Sequence, residues 1–233
     1  MKIKKFTGKI IKIIDLSPTS KEVIIRTSVP VDFIPGSFLN VFMTIDGEKV
    51  RRAFSISSSH LEQSEISLTI RLSPNGKMSP LFWKKDLTHT ELELMGPLGL
   101  NTIDKMLRKK IYLFAFGVGI GVVKSIADYF NTKNDIQKIV IVTGSKFEEE
   151  VLYQEYFKEL QNKSSKVIVK HVVSRPKPKS TYLRGYIQDH VSEFDFDNSD
   201  IYICGQEKAC LELMEKIKNK NPKDYEFFVE GFH

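Results

Sequence analysis

Over the first hundred residues, apolar and polar positions alternate in short runs, at Gly8–Ile14, Glu22–Thr27, Ser37–Thr44, Ala53–Ser57, Ile66–Leu72 and Thr90–Met95. Each run is rich in Ile, Val, Phe and Thr and is bounded by Pro, Gly, Asn or Asp, the signature of half-buried strands joined by turns. Pro35-Gly36, Asp46-Gly47 and Asn75-Gly76 are the clearest turn signals. The pattern predicts an antiparallel β-barrel with one short helical insertion over Ser79–Lys85. After a basic patch at Lys105–Lys110 the period changes. Strand-like runs at Ile111–Phe116, Lys138–Thr143, Lys166–Val173, Asp200–Cys204 and Tyr225–Val229 alternate with helical runs at Val122–Phe130, Glu148–Gln161, Tyr186–Val191 and Glu207–Asn219. Such alternation predicts an α/β domain with a five-stranded parallel sheet and helices on both faces. Gly96-Pro97-Leu98-Gly99 marks the way out of the barrel, so two domains are expected, residues 1–103 and residues 104–233.

A length of 233 residues accommodates two cores, and a 41% hydrophobic share is ordinary for a soluble protein. The net charge of +6 comes from lysines spread along the chain. That charge can draw in anionic cofactors or an acidic protein partner. No nucleic-acid recognition motif accompanies it, which argues against nucleic-acid binding. The longest apolar run, Ile111–Val123, is too short to span a bilayer. The opening stretch has lysines but no signal-peptide core, and reads as a first strand. Cys204 and Cys210, six apart, form neither a disulfide framework nor a metal or iron–sulfur set, and fit a reducing cytoplasm.

The segment Arg52-Ala53-Phe54-Ser55-Ile56-Ser57-Ser58 combines a cation, an aromatic ring and hydroxyls on one strand. Arginine offers paired donors to a pyrophosphate, phenylalanine can cover a flat ring, and a serine hydroxyl can donate to a ring nitrogen. The set suits a phosphorylated, planar cofactor; the alternative is an edge strand with a solvated arginine and a core phenylalanine. Ser73–Ser79 is a second candidate, in which Gly76, Lys77, Met78 and Ser79 would open a short helix toward a phosphate, or else form a plain hairpin tip and serine cap.

In the second half, ligands are expected beyond the carboxyl ends of the strands. Gly117-Val118-Gly119-Ile120-Gly121 runs from the first strand straight into a helix, the context in which amides cradle a dinucleotide. Its third glycine falls one position early for the usual fingerprint, and tight strand-to-helix packing accounts for the glycines equally. After the second strand, Ser145 and Lys146 stand where an acid would grip an adenosine ribose, which tilts the reading toward a 2′-phosphate. Glu148, Glu149 and Glu150 follow as dipole-complementing residues of a helix's first turn. The loop Ser174-Arg175-Pro176-Lys177-Pro178-Lys179 is a lid or a solvated surface loop, and Cys204-Gly205-Gln206 leaves room for a flat ring beside the sheet.

Taken together, these motifs resemble the ferredoxin–NADP reductase superfamily over nearly the whole chain. Arg52–Ser58 is similar to that family's Arg-x-Tyr/Phe-Ser-x-x-Ser flavin signature, Pro35-Gly36-Ser37-Phe38 to its Pro-Gly-Gln-Phe strand start, and Gly76–Ser79 to its second pyrophosphate loop. Ala115–Val122 resembles its nucleotide loop and Cys204-Gly205-Gln206 its Cys-Gly-Pro. Phe116, Val122 and Gln206 depart from that pattern, which often has Gly, Pro and Pro there.

The resemblance implies a minimal two-domain reductase with FAD as cofactor and NADP or NAD as co-substrate, with hydride passing from nicotinamide to FAD and electrons passing on to a separate protein acceptor such as a ferredoxin or flavodoxin. It implies catalytic roles for Ser55, Cys204 and Glu230. Flavin contacts would come from Arg52, Ala53, Phe54, Ser55, Thr69, Ile70, Gly76, Lys77, Met78, Ser79 and Phe232. Nucleotide contacts would come from Gly117, Val118, Gly119, Ile120, Ser145, Lys146, Cys204 and Gly205. A monomer or weak dimer with no metal is expected. A free-flavin reductase and a non-catalytic electron-transfer subunit that kept the fold are the two alternatives.

Overall fold

The computed structural model describes residues 2–232. Strands β1 (Lys4–Ser17), β2 (Ser20–Thr27), β3 (Phe38–Ile45), β4 (Glu48–Ser55), β5 (Glu65–Arg71) and β6 (Glu91–Leu98) form one antiparallel sheet, ordered β4-β3-β6-β1-β2-β5. A bridge between Ile56 and Leu68 ties the end of β4 to β5 and closes the sheet into a barrel. The period-two pattern decides which side chains face inward. Ile10, Val23, Ile25, Leu39, Val41, Ile66, Leu68, Ile70, Leu92 and Leu94 fill the barrel, with Met78 and Phe82 buried among them. Phe82 belongs to the short helix α1 (Leu81–Lys84).

The second sheet is parallel, with β7 (Lys110–Phe116), β8 (Lys138–Ser145), β9 (Val167–Val173), β10 (Leu183–Arg184), β11 (Ser199–Gln206) and β12 (Tyr225–Phe232) in the order β10-β9-β8-β7-β11-β12. Helices α2 (Ile120–Asn131), α3 (Gln154–Lys163) and α4 (Glu207–Lys218) flank it. Alternate residues of β7 serve the two faces: Ile111, Leu113 and Ala115 pack with Ile126 and Phe130 of α2, while Tyr112 and Phe114 pack with Leu213 and Ile217 of α4.

Three expectations are corrected. The sheet has six strands rather than five, because β10 contributes two residues, too few to leave a periodic trace. The single helix expected over Glu148–Gln161 is instead a 3-10 turn at Glu148–Glu150, a break, and α3. Val151 and Leu152 bury their side chains at the break, and Tyr153 takes a left-handed backbone conformation at φ 55°. The segment expected as a helix at Tyr186–Val191 is a 3-10 helix over Ile187–Glu193.

The link between the sheets is anchored by charge. Asp200, fully buried at the start of β11, accepts from the Arg108 backbone amide at 2.7 Å and from its Nη1 at 2.8 Å. Arg108 Nη2 also reaches Asp224, 2.8 Å away. Removing one partner of such a pair leaves an uncompensated buried charge, at a cost of about 3–5 kcal/mol. Arg108→Met should therefore lower the urea midpoint of the α/β domain by a corresponding amount; an unchanged midpoint would show that Asp200 finds another partner.

Candidate active site

Beyond the carboxyl ends of the parallel strands lies a cleft of about 530 Å³. It opens where the strand order switches, with β8 on one side of β7 and β11 on the other. Gly117 and Val118 after β7, Ser145 and Lys146 at and after β8, and Ser174 and Arg175 after β9 line it, with Tyr186, Gln188 and Lys208 completing the rim. A second cleft, of about 500 Å³, lies between barrel and sheet. Ala53, Phe54 and Ser55 supply its barrel wall from the end of β4, Thr69 and Arg71 from β5, and Phe232 closes it from the end of β12. Arg71, Phe116, Val118 and Gln206 line both clefts, so the two meet at one junction.

The three glycines after β7 do three different jobs. Gly117 has φ +57°, and a Cβ there would stand 3.7 Å from Arg71 Nη1, so its backbone faces the junction. A Cβ at Gly119 would lie 2.3 Å from the Cys204 carbonyl oxygen, so this position lets the turn press on β11. A Cβ at Gly121 would lie 2.3 Å from Thr69 Oγ1. The glycine one position early for a nucleotide fingerprint is thus where helix α2 meets the barrel.

Phe116 ends β7 directly opposite Gly144 of β8. A Cβ on Gly144 would meet the Phe116 ring at 3.2 Å, and one on Gly205 would meet Phe116 Cβ at 2.5 Å. Gly144 therefore leaves space for the ring and Gly205 for the Phe116 Cβ and backbone, and Phe116 forms part of the wall common to the clefts.

Ala53, Phe54, Ser55, Thr69, Phe232, Gly117, Val118, Ser145 and Lys146 are thus gathered around the joined clefts. Other expected site residues lie elsewhere. Arg52 is exposed on the edge strand, and its Nη1 donates to the Arg51 carbonyl at 2.7 Å. Ile70 and Met78 belong to the barrel core and Ile120 to the sheet core, because each falls on the inward side of its element. Lys77 pairs with Glu48 of β4, the Gly76 amide donates to Ser73 O, and Ser79 Oγ accepts from the Ser73 amide, so these groups are engaged within the loop and with β4. Cys204 is fully buried, and burial pushes its thiol well above the usual range, leaving it a neutral packing residue behind the junction. Gly205, at φ +148°, backs onto Phe116. Glu230 accepts from Tyr202 Oη at 2.7 Å behind Phe232 rather than lining either cleft.

The basic loop is a fixed wall. Ser174 and Arg175 amides donate to the carbonyls of Ser145 and Lys146, the Lys177 amide to Glu148 Oε1, and Arg184 Nη2 to the Pro178 carbonyl. Glu148–Glu150 therefore brace this loop and approach the barrel through Thr19 instead of complementing a helix dipole.

Sequence reading missed Arg71, Tyr186 and Gln188. Arg71 could have been found as a cation ending the Ile66/Leu68/Ile70 alternation at the side where the strand leaves the core. Tyr186, 65% exposed at the rim, follows the left-handed Gly185 and offers a free ring face. Gln188 carries no such signal.

The donor set suits dinucleotides. The exposed Arg71 at the junction, backbone at Gly117 open to close approach, and hydroxyl and basic side chains at the outer cleft match phosphates, while the Ala53–Ser55 wall and Phe232 match a flat ring.

A barrel with a ring-sized cleft, joined to a parallel sheet with a phosphate-ready one, makes a two-module scaffold suited to two dinucleotides. Residues 8–102 match the oxidoreductase FAD-binding domain family and residues 113–223 the oxidoreductase NAD-binding domain family. The chain is 30% identical over 179 residues to the glycine betaine monooxygenase reductase subunit of Pseudomonas aeruginosa, covering 74% of this chain and 49% of that protein. It is 23% identical over 225 residues to Ferredoxin–NADP reductase B of Sorangium cellulosum, covering 92% of each. The crystal structure of a ferredoxin NADP+ reductase from Neisseria gonorrhoeae with bound FAD and NADP superposes with a TM-score of 0.82 at 18% identity, over the full length of both chains. The chain belongs to the ferredoxin–NADP reductase superfamily. It spans about half the length of the glycine betaine monooxygenase reductase subunits it matches. Among the described residues no helix is long and apolar enough to cross a membrane, and no cluster of metal-ligating side chains occurs.

Burial raises the Glu230 carboxyl above its ordinary range, with the Tyr202 hydroxyl opposing the rise. A carboxyl whose folded-state pKa exceeds its unfolded value contributes stability at low pH that is lost as pH rises through the folded value. Glu230→Gln should therefore lose less Tm than the parent between about pH 5 and about pH 7. Parallel pH profiles for the two proteins in a thermal melt would contradict this.

Proposed function

We propose that this chain is an FAD-containing, NADPH-dependent reductase that hands electrons to a separate protein acceptor. Residues 1–103 would act as the flavin module and residues 104–233 as the nicotinamide-nucleotide module. One observation carries the reading: the ring-sized cleft and the phosphate-ready cleft share a wall of Arg71, Phe116, Val118 and Gln206, so ligands held in each come into contact. The bound pair supplies the redox chemistry, hydride from nicotinamide to flavin and electrons from flavin onward.

The chain's own residues bind, orient and exclude water. Ser55, at the end of β4, offers its hydroxyl to the polar edge of the ring while Phe54 and Phe232 cover apolar surface. Arg71 meets phosphate at the junction with a planar fork. Ser145, Lys146, Ser174 and Arg175 gather around one end of the outer cleft, and this cation and hydroxyl set favours a 2′-phosphate, hence NADPH over NADH. Tyr186 offers its ring to the adenine. The net charge of +6 favours an acidic acceptor. Reductase components of oxygenase systems among the relatives support a protein acceptor of that kind.

The purified protein should be yellow, and anaerobic NADPH should bleach it. A colourless protein active only with added flavin would indicate a free-flavin reductase, and absence of any bleaching would overturn the proposal. Lys146→Ala should raise KM for NADPH about tenfold, roughly 1.4 kcal/mol, with little change for NADH. Equal effects on both nucleotides would remove the 2′-phosphate assignment.

A further inference from the structure

Tyr153 is a bulky residue held in left-handed backbone geometry, at φ 55° and ψ 29°. Such geometry is costly for a residue with a large Cβ substituent and persists only where the surroundings enforce it. It sits in the break that separates the Glu148–Glu150 turn from α3, where sequence pattern alone extends one continuous helix. The consequence of the break is directional: the Tyr153 ring stays packed against the α/β core while its hydroxyl reaches the barrel strands. Its hydroxyl donates to Glu22 Oε1 of β2 at 3.1 Å and lies 2.7 Å from Thr69 Oγ1 of β5, which is left to donate to the phenol oxygen.

Thr69 lines the ring-sized cleft and is the residue against which Gly121 of α2 is pressed. Burial, together with the Glu22 carboxylate, pushes the phenol far above its ordinary range, so it stays a neutral donor. The other polar links near this face are weaker. Thr19 Oγ1 to Glu150 spans 3.4 Å, and Lys124 Nζ reaches the Ser57 carbonyl at 3.3 Å.

We propose that Tyr153 is a positioning residue, an interdomain bolt whose buried hydroxyl fixes the barrel to the α/β domain and thereby sets the separation between the two ligands that meet at the junction. This rests on the functional reading above, since it concerns the same two clefts. Tyr153 touches neither cleft; it acts through Thr69 and the strand that carries Arg71. A misplacement of about 1 Å between reacting groups can cost about a hundredfold in rate, so a loosened bolt shows in the limiting rate before it shows in binding.

The test is Tyr153→Phe, which keeps the ring and removes the hydroxyl. In the FAD-loaded protein, flavin content and affinity for 2′,5′-ADP should stay within about twofold of the parent, while the limiting rate of flavin reduction by NADPH falls about tenfold or more. Glu22→Gln, which keeps an acceptor for the phenol, should stay near the parental rate, and Glu22→Leu should fall with Tyr153→Phe. A second readout needs no activity. Spin labels on Leu61→Cys of the barrel and Leu211→Cys of α4, both exposed positions, should give one narrow distance distribution in the parent and a broadened one in Tyr153→Phe. An unchanged distribution, or an unchanged limiting rate, overturns the proposal. A parent protein that NADPH does not reduce would instead overturn the functional reading, and the distance measurement would still decide whether Tyr153 fixes the domains.

Discussion

The contact on which the structure turns is the one at Thr69. A single barrel residue forms part of the flavin-sized cleft, receives the helix that begins at the nucleotide loop, and shares a hydrogen bond with a phenol delivered from the start of α3, on the same face of the sheet as α2. Any side chain at Gly121 would force α2 away from β5 by colliding with Thr69 Oγ1. Because α2 starts directly after the Gly117–Gly119 turn, such a displacement would carry the phosphate-facing backbone away from Arg71. The two clefts stay continuous because the α2 backbone at Gly121 packs directly onto the Thr69 and Ser57 side chains here.

That constraint explains several departures from local preference. Tyr153 adopts a left-handed conformation, and the expected helix is broken, at the segment that must reach back to the barrel. Gly144 stays small beside the Phe116 ring and Gly205 beside the Phe116 backbone and Cβ. Cys204 is buried because its carbonyl receives the Gly119 turn, which leaves the thiol facing core. Each local cost is borne next to the junction, as expected where geometry serves a site and not the core alone.

Much of the fold was legible in the sequence because it follows from periodicity. Alternation along β1 to β6 and the change of period at β7 reflect which side chains must leave water, and that signal survives without neighbours. Residue chemistry singled out Ala53, Phe54 and Ser55, which line one cleft, and strand direction placed Val118, Ser145 and Lys146 beyond strand ends, where they line the other. Such reasoning could not distinguish residues that point into a cleft from those one step along the strand that point into a core, which is why Ile70 and Ile120 were expected at the site and lie in cores. Nor could it reveal Arg71 as a member of both clefts, or Tyr153 as a link between domains. Both properties depend on two distant segments meeting, and no local pattern encodes that.

The central claim is that both clefts are halves of one site that joins at Arg71, Phe116, Val118 and Gln206. A crystal structure of the protein with FAD and NADP⁺ bound together tests it most directly. The account predicts the flavin ring against Ala53–Ser55 and the adenosine end near Ser145 and Lys146. It also predicts the two redox rings within about 3.5 Å of one another beside Phe116. Either dinucleotide bound outside the joined clefts, or rings kept apart by a closed wall at Phe116, would contradict it.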